Sequence, residues 1–456
     1  MKKQFFYAAM ALAVMSSCSK DNDPGIGNPE ENNDKAVIAL GLDVPTVTAS
    51  TRGTGSVGDV AGDQNTWNSQ KLYIYMVDRN TGLEAEEGAE NAKTKILDND
   101  VLEFRAPQAA SKDKGAIRIY KTYTEDSDNG VIQYKYYPTN GQYTFYGYHI
   151  DDAKNATQNI TADAKTVTNV TIDGTQDLLA AKTIDMAEND ASATDPESFY
   201  KDKAIELSAE WTELMKYQFG ARTARKGIVP VLKFEHQLAR LKFFVRAGSQ
   251  SAAGYEYKAS QWAERKSSDN ESKTLGMQVT KITLKDMANV VDMDLTVPSS
   301  TRNGSGVADF VVCSKDPEVN NKLNPAKGLI NSVVPKYPYG DTNIPESDPD
   351  AKGTQVGEPV MFFPNGNIEL SIDLKQYVED TKDETNNTIT YKEVEKADNK
   401  LTIDQTKISG QTKEFKPGAS YNVYITIYGL EKIEVTAVLT AWEAGGDIEA
   451  DIEDGK

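Results

Sequence analysis

Residues 229–245 read VPVLKFEHQLARLKFFV and contain two short apolar runs, 229–234 and 238–245. Both runs are rich in Val, Leu and Phe and are shorter than a typical helix, so we read them as β-strands. A short polar connection, Glu-His-Gln, separates them. The stretch therefore predicts two consecutive strands near the middle of the chain.

Strand patterns of the same kind recur on both sides of this stretch. Near the N-terminus, apolar side chains alternate at Ala36, Ile38, Leu40, Leu42 and Val44, and the pattern stops at a proline. A period of two is typical of a strand with one buried face. The other predicted strands are 72–77, 116–120, 131–137, 143–150, 167–172, 277–284, 290–297, 307–313, 368–374, 421–427 and 433–442.

One helix is expected between residues 195 and 219, where apolar residues from Ala204 to Leu214 fall three or four positions apart. About a dozen short strands and one helical insertion favour antiparallel β-sandwiches over a fold of alternating strands and helices. We place the domain boundary near Gly227, where the helical insertion ends.

The composition excludes several classes of function. The chain has 456 residues, enough for two or three domains, and a net charge of −19 at pH 7. Such a charge repels nucleic acid, so no nucleic-acid partner is expected. The chain has two His and two Cys, and it carries none of the common catalytic motifs, so we expect no catalytic residues, no metal, no cofactor and no enzyme. A hydrolase that uses two carboxylates stays open, because such an enzyme needs only a pair of acids.

The first residues have the layout of a bacterial export signal: a basic start, an apolar run, and small residues directly before Cys18. The sequence Met-Ser-Ser-Cys resembles a lipobox, so residues 1–17 are a predicted signal peptide and the Cys18 thiol a predicted lipid attachment site. Residues 18–34 are polar and acidic and predict a disordered tether. Cys313 then lacks an intrachain partner, and its apolar surroundings predict a buried, inert thiol.

Three stretches together resemble the fimbrillins, the subunits of Bacteroidetes type V pili. Phe234, His236, Leu238, Ala239 and Arg240 match a Phe-x-His, Leu-Ala-Arg element between two apolar strands. Residues 415–442 are similar to the closing strands of the family, and the lipoprotein start with its arginine-bearing loop is the third stretch.

The resemblance implies two transthyretin-like antiparallel β-sandwich domains in tandem, at residues 53–227 and 228–456, after a propeptide strand and cleavage loop at 35–52. It implies a structural subunit of a cell-surface fimbrium that is exported as a lipoprotein and supports adhesion. The implied partners are other fimbrial subunits, an Arg-specific surface protease, and the outer membrane, to which the lipid anchors the chain before processing. The implied location is the surface of the outer membrane and, after processing, the fimbrium.

The resemblance also implies that proteolysis between Arg52 and Gly53 releases the first strand, and that a strand of another subunit replaces it. The released side chains would be those of Ile38, Leu40, Leu42 and Val44. The entering side chains would be those of Ile433, Val435, Ala437 and Leu439.

Two alternatives stay open at this point. Residues 429–430 lead almost directly into the C-terminal strand, so this strand could instead complete its own domain. The chain could also be a permanently lipid-anchored adhesin, a tip or anchor subunit that binds a glycan or a protein.

Overall fold

The computed structural model describes residues 36, 38, 40–43, 71–88, 93–98, 100–103, 135–150, 160–186, 200–249, 256–257, 273–274, 276–314, 332–333, 353–385, 388–408, 414–430 and 432–440. Within these ranges most residues lie in β-strands and few lie in helices, which confirms the predicted all-β class. No helix among the described residues is both long and apolar enough to cross a membrane.

The strands up to the middle of the chain are β1 Gly41–Asp43, β2 Lys71–Asp78, β3 Glu86–Glu87, β4 Thr94–Lys95, β5 Asp100–Glu103, β6 Tyr143–Ile150, β7 Thr161–Ala162, β8 Thr166–Thr171, β9 Leu178–Thr183, β10 Val231–His236 and β11 Ala239–Ala247. Those that follow are β12 Glu256–Tyr257, β13 Lys273–Thr274, β14 Gln278–Ala288, β15 Val290–Asp294, β16 Ser299–Arg302, β17 Val307–Ser314, β18 Ser332–Val333, β19 Thr354–Phe362, β20 Ile368–Asp383, β21 Thr388–Ile403, β22 Ser420–Gly429 and β23 Lys432–Thr440. The helices are α1 Lys201–Glu206, α2 Trp211–Tyr217, α3 Ala221–Arg225 and a 3-10 turn at Gln405–Lys407.

A six-stranded sheet in the order β1-β10-β9-β6-β2-β5 forms the N-terminal part of the fold. Its neighbours pair antiparallel except β1 and β10, which run parallel. One face packs into a core that contains Leu72, Phe145, Leu232 and Phe234 together with buried residues of the helices. The helical insertion thus covers the sheet that β1 borders.

Two sheets face each other in the C-terminal part: β19-β11-β22-β23 and β17-β14-β20-β21. Their inward side chains, among them Val423, Ile425, Ile282 and Leu370, share one core cluster. The pairs β11/β22 and β1/β10 are parallel, so the antiparallel expectation holds for the other strand pairs of the described sheets.

A third sheet, β16-β15-β8-β7, takes strands from both parts of the chain. Strand β8 pairs with β15 from Val290↔Thr171 to Asp294↔Thr166. The chain itself passes from the N-terminal sheet to the C-terminal one between β10 and β11, beyond the boundary predicted near Gly227. The two parts are therefore joined by strand pairing as well as by the connecting chain.

The expected single helix is wrong as one continuous element. Residues 201–217 form α1 and α2, and the turn between them gives Leu207 O two donors, the backbone N–H groups of Glu210 and Trp211. Each helix buries its own side chains in the core, Ala204 from α1 and Trp211 and Leu214 from α2. The apolar spacing across residues 204–214 thus comes from two short helices on one core.

Several strands escaped the sequence patterns, among them β9, β19 and β21. In β9 the run Leu-Leu-Ala-Ala is buried without alternation, because this strand lies in the middle of its sheet. In β19, Gly357 and Pro359 are poor strand formers. Residues 377–399 are highly charged and belong to the long β20/β21 hairpin, in which backbone pairing rather than apolar burial sets the structure.

Candidate functional site

The N-terminal segment, of which the structure describes residues 36, 38 and 40–43, pairs through its backbone with two different parts of the chain. The N–H of Ile38 donates to the carbonyl oxygen of Lys135 at 2.8 Å, and the N–H of Tyr137 donates to that of Ala36 at 2.9 Å. Further along, β1 pairs with β10 in the register Gly41↔Val231, Leu42↔Leu232, Asp43↔Lys233. The segment therefore lies between two walls, residues 135–137 and β10.

Three apolar side chains of this segment are buried. The exposed fractions of Ala36, Ile38 and Leu40 are 6%, 2% and 3%. All three belong to the core cluster that also contains Leu232 and Phe234 of β10. These three side chains, which the sequence predicts on the buried face of the segment, fill a groove in the N-terminal core.

Aromatic rings line this groove next to residues 135–137. The ring centroid of Tyr137 lies 6.0 Å from that of Tyr143 and 6.2 Å from that of Phe145. Burial raises the pKa of the Tyr137 hydroxyl well above its ordinary value. That hydroxyl has no hydrogen-bond partner among the described residues.

The wall at residues 135–137 also makes a hydrogen bond to another part of the chain. The Lys135 ammonium donates to the carbonyl oxygen of Ile96. This contact does not involve the N-terminal segment, so departure of that segment would leave it in place.

The C-terminal strand β23 forms an edge of the C-terminal sandwich and pairs antiparallel with β22. The register is Ile433↔Ile427, Val435↔Ile425, Ala437↔Val423 and Leu439↔Tyr421. The four β22 residues are buried, and Ile433 and Val435 are half-buried against the same core. In this structure the strand therefore completes a sheet of its own chain.

The Phe-x-His, Leu-Ala-Arg element lies where the chain crosses from β10 to β11. His236 Nδ1 and Asp177 Oδ2 are 2.7 Å apart, and the two side chains are 2% and 0% exposed. Arg240 is buried as well, and its Nε donates to the Ser420 hydroxyl at 3.2 Å. The polar residues of the element thus connect β10, β11 and β22 with Asp177, the residue before β9, inside the protein.

Backbone hydrogen bonds strengthen this crossing. The N–H of Gln237 donates to the carbonyl oxygen of Leu178, at 2.8 Å, and the N–H of Gly418 donates to that of Leu238, at 2.9 Å. The hydroxyl of Ser300 donates to the carbonyl oxygen of Gln237 at 2.8 Å. Four separate segments therefore meet at the crossing, which gives the element a structural role.

His149 and Cys313 are packed, the latter as expected. His149 is buried in β6, and Cys313 is a free, buried cysteine of β17. Burial raises the pKa of the Cys313 thiol to about 12, so little of it is thiolate near neutral pH. Among the described residues no three His, Cys, Asp or Glu side chains are grouped so that they could hold a metal ion.

Several predicted site residues lie outside the described residues: Cys18, Val44, Arg52 and Gly53. Lipidation and cleavage stay predictions. No sequence pattern indicates that residues 135–137 neighbour the N-terminal segment, because strand order is not encoded in the periodicity of a single strand. The role of the helices beside the groove was missed for the same reason.

Solved structures similar to this one are those of cell adhesion and fimbrial proteins. Over 91% of this chain and 100% of the other, the fold is similar to that of a proposed cell adhesion protein from Bacteroides uniformis, with 12% identity and a TM-score of 0.40. The fimbrial anchor protein Mfa2 from Porphyromonas gingivalis is similar over 86% of this chain and 90% of its own, with 10% identity and a TM-score of 0.27. The tip fimbrial protein Mfa3 from the same organism is similar over 89% and 100%, with 10% identity and a TM-score of 0.28.

No protein-family model matches the sequence, and no curated protein matches it. All three TM-scores lie below 0.5, so no residue role is carried over to this chain from these proteins.

Proposed function

We propose that this chain is a structural subunit of a cell-surface fimbrium that supports adhesion and polymerises by exchange of its N-terminal strand. It would be exported as an outer-membrane lipoprotein through Cys18 and cut by an Arg-specific protease between Arg52 and Gly53. A strand of another subunit would then occupy the groove.

The observation that carries the proposal is that the N-terminal segment fills a groove at the border of its sheet. Ala36, Ile38 and Leu40 are buried, yet their segment borders its sheet and meets the rest of the fold through β10 and residues 135–137. Burial of an Ile or a Leu side chain contributes roughly 1.5–3 kcal/mol. The segment therefore stays in place while it is covalently joined, and an equally apolar strand could replace it once it is cut free.

An emptied groove would present unpaired backbone groups on β10 and on residues 135–137 together with apolar pockets at every second position. These are the features that recruit an added strand. A strand from another copy makes a contact that does not close on itself, which is the geometry of a fibre. The net charge of −19 opposes association, so assembly would depend on strand insertion.

The test uses the full chain carrying Cys18→Ser, so that no lipid is attached, treated with an Arg-specific protease. We expect SDS-resistant ladders from the cut protein and Gly53 as the new first residue. Arg52→Gln should stay uncut there and monomeric, whereas Arg302→Gln, at an exposed arginine of β16, should behave as the parent does. A chain cut at Arg52 that stays monomeric would contradict the proposal.

One observation favours a second candidate, a permanently anchored adhesin or a tip or anchor subunit. Strand β23 pairs with β22 of its own chain along its length, as it would in a subunit that donates no strand. For that role the chain on cells should keep Arg52 and retain radiolabelled lipid at Cys18. Loss of the label from assembled material would exclude it.

A further inference from the structure

We infer that the helical insertion is part of the strand-exchange site, and that Tyr200 holds the groove wall β10 in position after the N-terminal strand has left. This inference rests on the proposed strand exchange. It assigns to Tyr200 a positioning role, since the residue would act through β10 rather than touch the entering strand.

Strand β10 lies between β1 and β9 in the six-stranded sheet. When β1 leaves, β10 becomes the edge and keeps its ladder with β9, from Leu232↔Thr183 to His236↔Leu179. Its first residue, Val231, is paired with Gly41 of β1 and would lose that neighbour. Ends of edge strands fray first, because few groups hold them.

Val231 is where Tyr200 acts. The carbonyl oxygen of Val231 accepts from the N–H of Ile184 at 2.9 Å, and the N–H of Val231 donates to the Tyr200 hydroxyl at 2.9 Å. The tyrosine hydroxyl thus takes the place that a backbone carbonyl would occupy if the β9/β10 ladder continued. It gives Val231 a second hydrogen bond on the side of β10 that faces away from β1.

Tyr200 is itself firmly placed. It is fully buried, and its ring centroid lies 6.0 Å from that of Phe219. The carbonyl oxygen of Phe219 accepts from the N–H of Tyr143, at 2.8 Å, at the start of β6. The helical insertion is therefore hydrogen-bonded to two strands of the sheet, β10 and β6. Neither hydrogen bond involves the N-terminal segment.

The experiment compares Tyr200→Phe with a matched control, Tyr75→Phe, in the full chain carrying Cys18→Ser. Both tyrosines are buried, and Tyr75 lies on β2, which is neither wall of the groove. The Tyr75 hydroxyl has no hydrogen-bond partner among the described residues, so its removal should leave β10 unchanged. Hydrogen exchange of the backbone amides of residues 231–236 is measured by mass spectrometry before and after cleavage at Arg52, and ladder yield is measured in parallel.

For Tyr200→Phe we expect these amides to exchange about tenfold faster than in the parent when both chains are cut, since a buried donor loses its acceptor. In the uncut chains we expect the exchange to be less than about threefold faster than in the parent. We expect ladder yield to fall with it. Equal acceleration in both states would overturn the inference, because it would show a general structural role. Absence of any acceleration in the cut chain would also overturn it. If the parent chain forms no ladders while the acceleration stays selective for the cut chain, the proposed polymerisation fails and the role of Tyr200 stands.

Discussion

His236 Nδ1 lies 2.7 Å from Asp177 Oδ2 at the point where the chain leaves the N-terminal sheet for the C-terminal one. Both side chains are shielded from solvent. Removing one member of such a pair leaves the other buried without its partner, which typically costs about 3–5 kcal/mol. We therefore expect His236→Ala to lower the urea midpoint strongly.

The control for this prediction is the double change His236→Leu with Asp177→Leu. Replacing both polar groups with apolar ones removes the unpaired member and should recover much of the lost stability. An unchanged urea midpoint for His236→Ala would show that the crossing does not depend on this pair.

A second prediction concerns the groove that holds the N-terminal segment. Ile38→Ser removes most of an apolar side chain that is 2% exposed, at an expected cost of about 2–4 kcal/mol. Thermal unfolding should move to a lower temperature, and Arg-specific cleavage should yield ladders sooner because the segment leaves more easily. Leu83→Ser, at a residue 68% exposed, should change neither. Slower ladder formation by Ile38→Ser would speak against release of this segment.

A third prediction uses two neighbouring residues of β23. Val435 is half-buried against the C-terminal core, whereas Thr436 is exposed. An aspartate at position 435 would have to enter an apolar pocket during insertion, at a cost of several kcal/mol. After cleavage, Val435→Asp should give at least about tenfold fewer ladders than Thr436→Asp. Equal ladder yields would show that β23 is not the inserted strand.

Cys313 offers a fourth prediction. Burial raises the pKa of its thiol to about 12, so at pH 8 the reactive thiolate is scarce, and more of it forms as the pH rises toward that value. In the chain carrying Cys18→Ser this is the remaining thiol. Its reaction with a disulfide reagent should be very slow in the folded protein and fast in urea. Rapid reaction of the folded chain at pH 8 would contradict the packing of β17.

The fold was predictable where burial alternates or where apolar runs are short. The run at 421–427 corresponds to β22, in which one buried face imposes a period of two. The run at 143–150 corresponds to β6, whose aromatic and β-branched residues favour a strand although nearly all of its side chains are buried. β9 was missed because the middle of a sheet buries consecutive residues, and β21 because its pairing with β20 needs no apolar pattern.

The candidate site was only half visible in the sequence. The alternation from Ala36 to Leu40 marked the segment that fills the groove. Its two walls are far away in the chain, around Lys135 and Val231, and no local pattern links them. Tyr200 likewise reaches Val231 through the tertiary fold, which only the arrangement of the helices reveals.

The central claim is that assembled subunits have lost their own N-terminal strand. The most direct measurement is the first residue and the intact mass of the subunit in polymer sheared from cells. We predict a chain that begins at Gly53 and contains no residues 36–44. Polymerised subunits that begin with an acylated Cys18 and keep residues 36–44 would contradict it.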